Sequence, residues 1–118
     1  MCLKCNKITA LPDDLVNWTS LTELDLSSNF IVSIPESISH LRKLEDFKIS
    51  NNKLISLPDS IGFLESLKVF EADENHVSSI PETIGDCAAL ERLVLTTNQI
   101  QQLPTDIGHL KALFERLK

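Results

Sequence analysis

The feature that most constrains this chain is a period of 23 residues. Residues 21–43, 44–66, 67–89 and 90–112 align without gaps, each reading LxxLxLxxNx(L/I/V)xx(L/I)PxxIxxLxx with few departures. Residues 1–20 enter the same frame at its fourth place, as an incomplete first repeat. Asn6, Asn29, Asn52, Asn75 and Asn98 mark one place, and Pro12, Pro35, Pro58, Pro81 and Pro104 another. A fixed period of this length signals a solenoid, whose units bury their apolar faces only by stacking on one another. Such an architecture directs function toward a surface rather than a pocket.

The frame accounts for nearly all of the 118 residues, so one domain is expected over 1–118. Residues 113–118 serve either as a C-terminal cap or as the start of a further repeat. The tail spaces Leu110, Leu113, Phe114 and Leu117 at helical intervals, which favours a covering helix. Because Met1 falls in mid-strand and nothing covers the first repeat, the chain is expected to be a piece or short form of a longer protein.

Within each repeat, the apolar places alternate as a half-buried strand requires. Leu24, Phe47, Phe70 and Leu93 form one inward row; Leu3, Leu26, Ile49, Ala72 and Leu95 form the next. The large Phe70 beside the small Ala72 reads as a volume trade that keeps the core filled. Asn ends each strand, where its amide can donate and accept to backbone groups at the inward turn. Its recurrence is therefore structural and not catalytic. Pro then opens a convex segment, suited to the first turn of a short helix, and Asp13, Glu36, Asp59 and Glu82 follow it, favoured by the helix dipole. The inward convex rows are Leu15, Ile38, Ile61, Ile84 and Ile107, and Trp18, Leu41, Leu64, Cys87 and Leu110. Cys87 stands among large apolar equivalents and reads as a small core residue.

The block Leu21-Thr-Glu-Leu24-Asp-Leu26-Ser-Ser-Asn29 resembles the leucine-rich repeat signature. The later half, as in Ile34-Pro35-Glu36-Ser37-Ile38, resembles the 23-residue subclass of intracellular Ras-group and scribble-type proteins. The resemblance implies an α/β fold: a right-handed horseshoe with a parallel sheet on the concave face and short helical or 3-10 segments on the convex face. It also implies a cytoplasmic signal-transduction or scaffold setting, and a small GTPase as one partner.

A net charge of −6 argues against nucleic acid or an anionic membrane as partner and permits a basic protein. No run approaches the ~18 apolar residues of a spanning helix, so no membrane insertion is expected. The start MCLKCNKI lacks the apolar core of a signal peptide, and three Cys leave an odd thiol, which together point to a reducing compartment. Cys2 and Cys5 form a C-x-x-C, but no second pair or nearby His completes a four-ligand zinc site. His40 and His109 share a repeat place three repeats apart, roughly 14 Å at ~4.8 Å per strand, and His76 lies elsewhere. Gly62, Gly85 and Gly108 share one repeat place and form no phosphate loop. No nucleophile elbow, Walker loop or dinucleotide fingerprint occurs. No catalytic, cofactor or metal residues are assigned, and the chain is expected not to be an enzyme.

The expected site is the concave face. Side chains alternating with the inward rows point out from it: Glu23, Asp46, Val69 and Arg92 in one row, then Asp25, Lys48, Glu71 and Val94, with Asp73 and Glu74 further along. The acids Asp25, Asp46, Glu71, Asp73 and Glu74 would share one field, with Val69 and Val94 as anchors beside Arg92. Five strands of about five residues cover roughly 24 by 17 Å. That is about 400 Å², against ~800 Å² per partner in a standard interface, so rims or further repeats would have to contribute. The leading expectation is a non-catalytic protein-interaction module of scaffold or adaptor type. The alternatives are a regulatory or targeting segment of a larger kinase, phosphatase, cyclase or ubiquitin ligase, and a structural subunit of a large assembly.

Overall fold

A computed structural model describes residues 2–11 and 18–100. In it the repeats over 21–43, 44–66 and 67–89 each form a three-residue strand followed, after an extended crossing, by a five-residue 3-10 helix, and the next repeat adds a fourth strand. The strands are β1 (Glu23–Asp25), β2 (Asp46–Lys48), β3 (Val69–Glu71) and β4 (Arg92–Val94). They make one parallel sheet in the order β1-β2-β3-β4. Leu24 pairs with Phe47, Phe47 with Phe70, and Phe70 with Leu93, so the register advances by one repeat per strand. Five strands were expected; the first repeat contributes only a single bridge, Cys2 to Asp25. The strands are shorter than the five residues expected, yet the parallel ladder outruns them. Leu26 N donates to Lys48 O at 2.7 Å and Ser28 N to Ser50 O at 2.9 Å, and Ile49 and Asn51 repeat both bonds toward β3.

The core lies between the sheet and the 3-10 helices Glu36–His40, Asp59–Phe63 and Glu82–Asp86. Leu26, Ile49 and Ala72 are fully buried under the sheet, and Ile38, Ile61 and Ile84 under the helices. Burying each such Leu or Ile contributes ~1.5–3 kcal/mol, and only stacking makes that burial possible. Phe70, the large member of the expected trade, stacks on its neighbour in the preceding repeat. The Phe47 and Phe70 rings lie 5.4 Å apart with planes 25° from parallel, and Ala72 is fully buried as well.

Pro stands one place earlier than its sequence suggests. Pro35, Pro58 and Pro81 are the residues before the helices, with extended ψ of 155°, 151° and 146°. The carbonyl of each accepts the first helical bond, from Ile38, Ile61 and Ile84 at 3.1 Å. The locked φ therefore shapes the entry to the turn rather than its first residue. The acids Glu36, Asp59 and Glu82 do occupy the first turns.

Asn joins one repeat to the next. Asn52 Nδ2 donates to Leu26 O and Ile49 O, both at 3.0 Å, and to Ser50 O at 3.1 Å; its Oδ1 accepts from Ile31 N at 3.0 Å. Asn29, Asn75 and Asn98 make the same set at 23-residue offsets. The residue before each Asn has a left-handed backbone: Cys5, Ser28, Asn51, Glu74 and Thr97, with φ between 54° and 60°. That conformation aims the Asn amide inward.

Cys87 is fully buried and its Sγ donates to Ile61 O at 3.2 Å. Burial, with help from the Asp86 carboxylate, pushes its thiol up from 9.0 to about 11. It is a core residue, as expected. Trp18 packs against the core while partly exposed. The expected C-terminal cap at 113–118 and the row members Asp13, Leu15, Ile107, His109 and Leu110 lie outside the described residues.

Candidate protein-binding face

The sheet register brings the expected side chains into two columns. Glu23, Asp46, Val69 and Arg92 form one, and Asp25, Lys48, Glu71 and Val94 the other. In-register parallel pairing is what turns equal repeat positions into columns of adjacent side chains. Every inward neighbour along β1–β4 is buried and apolar, so the charges of the sheet are confined to these outward places.

The acids do not form a plain negative field. Glu71 lies between two cations, with Lys48 Nζ at 3.8 Å and an Arg92 guanidinium nitrogen at 3.6 Å. Lys48 also approaches Asp46 at 4.0 Å. The result is an alternating string, Asp46, Lys48, Glu71, Arg92, running diagonally across three strands. Exposed pairs of this kind each contribute only ~0.2–1 kcal/mol, so their role is to fix side-chain positions more than to stabilise the fold. Asp25 accepts from Ser27 N at 3.0 Å, and Asp73 accepts from the Ser50 hydroxyl. Both carboxylates are thus held in place by neighbours on the same face. Glu74 is exposed at the left-handed turn. Sequence reasoning placed the columns; it missed the ion pairs, which depend on side-chain reach across the register. Lys68 and Glu45, 3.3 Å apart at the other rim, were missed for the same reason.

Val69 stands directly beside Arg92 across the β3–β4 pair, and Val94 beside Glu71. Both valines are half-buried. An apolar step therefore borders the charged string on its β4 side. Two recesses indent the face: one of about 210 Å³ lined by Cys2, Glu23, Leu24, Asp25, Asp46 and Lys48, and one of about 260 Å³ that runs from Thr22 to Val69. Both are smaller than ordinary small-molecule pockets of ~300–1,000 Å³. Among the described residues, no group of His, Cys, Asp and Glu gathers closely enough to hold a metal, and no helix is long and apolar enough to cross a membrane. Cys2 and Cys5 are exposed free thiols.

The family model for leucine-rich repeats matches residues 1–54 and 19–77, well over half of the 118-residue chain. This chain belongs to the leucine-rich repeat family. An LRR protein of Leptospira interrogans superposes on the whole of it with a TM-score of 0.85 at 35% identity, covering 30% of that chain. The crystal structure of PEPR1-AtPEP1 matches 89% of this chain at 34% identity and a TM-score of 0.80, covering 16% of that chain. An internalin (inlF) from Listeria monocytogenes covers 92% of this chain at 23% identity and a TM-score of 0.70, and shares the fold; 36% of that chain is matched. This leucine-rich repeat chain therefore spans less than two fifths of each of these solved structures. No curated protein matches it. Leucine-rich repeat domains typically mediate protein–protein interaction, and the fold is generally a non-enzymatic binding module.

Proposed function

We propose that this leucine-rich repeat chain is a non-catalytic interaction module, a scaffold or adaptor segment that docks a protein partner on its concave sheet. The observation that carries this reading is the contrast between the two sides of the sheet. Along β1–β4 the inward rows are apolar and buried, whereas the outward columns vary in chemistry, from the acids Glu23 and Asp46 through Val69 to Arg92. A face serving only as a solvated cover has no need of half-buried valines beside a guanidinium. Solenoids in general use their concave surface for binding.

The partner that fits carries a basic group over Glu23 and Asp25 and an apolar side chain over Val69 and Val94. A small GTPase and a cytoplasmic, signal-transducing setting are proposed on the resemblance of the LPxxI repeats alone; binding to a GTPase that is equal in its two nucleotide states removes that suggestion. The concave model itself is tested with Glu71→Lys/Asp73→Lys and Val69→Asp/Val94→Asp variants. Each should weaken capture of a native partner about ten-fold or more, with unchanged circular dichroism. Capture that is indifferent to both variants discards the concave face.

A further inference from the structure

Past the Asn turn, each repeat crosses the flank of the solenoid in an extended segment of alternating burial. Ile31, Leu54 and Val77 are fully buried there, and the residues on either side of them point out. Successive segments hydrogen-bond in register, Lys53 N to Ile31 O at 2.9 Å and Ile55 N to Val32 O at 3.3 Å. Most outward places on this flank are polar. Three in the second and third repeats are apolar: Phe30 is 50% exposed, Val32 48% and Ile55 55%. Val32 and Ile55 are neighbours across the two segments, and Phe30 lies two residues before Val32 on the same side. The three form one continuous apolar strip, on a different surface from the concave columns.

The surroundings of the strip carry its second signal. Lys7 and Lys53 occupy Phe30's own place in the adjoining repeats. Neither forms an ion pair among the described residues, whereas Lys48 and Arg92 on the sheet face and Lys68 at its rim all meet acids of this chain. A recess of about 180 Å³ opens at the head of the strip, lined by Ser28, Asn29, Phe30, Asn51, Asn52 and Lys53. In a chain of net charge −6, this flank joins exposed apolar groups to lysines with no acid of their own.

We propose that this flank is a second docking site, for a short acidic and hydrophobic peptide segment of a partner protein. A carboxylate of the segment lies at Lys53 in the recess, and aliphatic or aromatic side chains lie along Phe30, Val32 and Ile55. Charge complementarity selects the acidic peptide, since a basic one would meet both lysines. Area selects a peptide over a second copy of the chain: three half-exposed apolar side chains offer on the order of 250 Å², far below the ~800 Å² per partner of a stable interface. The site is independent of the concave reading, and either can fail alone.

The test is selection of a random dodecapeptide phage library on the 118-residue chain, followed by anisotropy titration of the enriched peptides. Enriched peptides should pair Asp or Glu with aliphatic or aromatic residues. They should bind a Val32→Ser/Ile55→Ser/Lys53→Glu variant about ten-fold or more weakly, and bind Glu71→Lys/Asp73→Lys as well as the parent. Basic or pattern-free enriched peptides, or equal binding to the flank variant, overturn the proposal. So does sedimentation showing a dimer that Ile55→Ser converts to a monomer, which assigns the strip to self-association. The peptide pattern is read on the unaltered chain, so it decides the question even where a variant folds poorly.

Discussion

The side-chain amide of Asn52 lies 3.0 Å from the carbonyl oxygen of Leu26, a whole repeat away, and the same distance from Ile49 O in its own repeat. One side chain thus satisfies backbone groups of two repeats, while its Oδ1 serves Ile31 N. Asn52→Ala leaves the buried Ile31 N without its acceptor, at ~1–3 kcal/mol, while Leu26 O and Ile49 O each keep one donor, from Asn29 and Asn75. The expected loss is about 1–3 kcal/mol in urea unfolding, and no measurable loss contradicts the ladder. Asn52→Asp keeps the acceptor for Ile31 but turns a carboxylate toward carbonyl oxygens, so it should cost more at neutral pH and recover partly on acidification.

Gly62 is fixed by close approach. A Cβ there would lie 2.6 Å from Thr83 O and 2.9 Å from Thr83 Cβ. Gly62→Ala should destabilise by ~1–3 kcal/mol through overpacking, despite the better helix propensity of alanine. The preceding repeat carries Ser39 at this place, with Ser60 where the next has Thr83. The crowding atoms are the Thr83 backbone and Cβ, which serine shares, so Thr83→Ser should leave the Gly62→Ala loss unchanged in a double-mutant cycle; rescue would place the crowding at the Thr83 methyl instead.

The left-handed row predicts an ordering. A β-branched residue is poorly suited to φ of 55° at Thr97, whereas asparagine tolerates the 54° of Asn51. Thr97→Gly should raise stability by about 0.5–1 kcal/mol after the entropy of glycine is deducted, and Asn51→Gly should leave it flat or lower it. Melting temperatures in the reverse order would exclude backbone strain at Thr97.

Cys87 predicts an alkaline limb. Below pH 9 the thiol is protonated in both folded and unfolded chains and has no effect on the balance. Above it the unfolded thiol ionises first, because the folded one is pushed up to about 11. The folded state then holds more protons, so stability falls as pH rises, by about 3 kcal/mol once pH is well above 11. Cys87→Ala should lower stability at pH 7 yet flatten this limb, read from unfolding midpoints between pH 8 and 11. In the folded protein a thiol reagent should modify the exposed Cys2 and Cys5 quickly and Cys87 only at the rate of opening.

The elements legible in the sequence were those the period dictates. The inward rows, the concave columns, the Asn sites and the core role of Cys87 follow from knowing that equal positions stack. Less legible was whatever depends on local geometry within a repeat. Pro35 precedes its helix instead of opening it, because a 3-10 turn of five residues uses the proline carbonyl as its first acceptor. The left-handed turns carry Ser28, Glu74 and Thr97 rather than glycine, so nothing in residue type announced them. The bridging of Glu71 between Lys48 and Arg92 required side-chain lengths as well as register. The flank strip did have a signal: Phe30, Val32 and Ile55 fill places where the other repeats carry mostly Lys, His, Ser or Gln.

The Asn joints have a consequence for how such a chain changes length. Each joint reaches only one repeat back and is built from the same atoms every time. Excising or duplicating 23 residues therefore replaces one joint with an equivalent one, with no long-range partner to orphan. Surface chemistry is written on the outward places of each unit, so a lineage can edit the vocabulary of its binding faces by shuffling whole turns. The mechanical frame beneath never has to be reinvented.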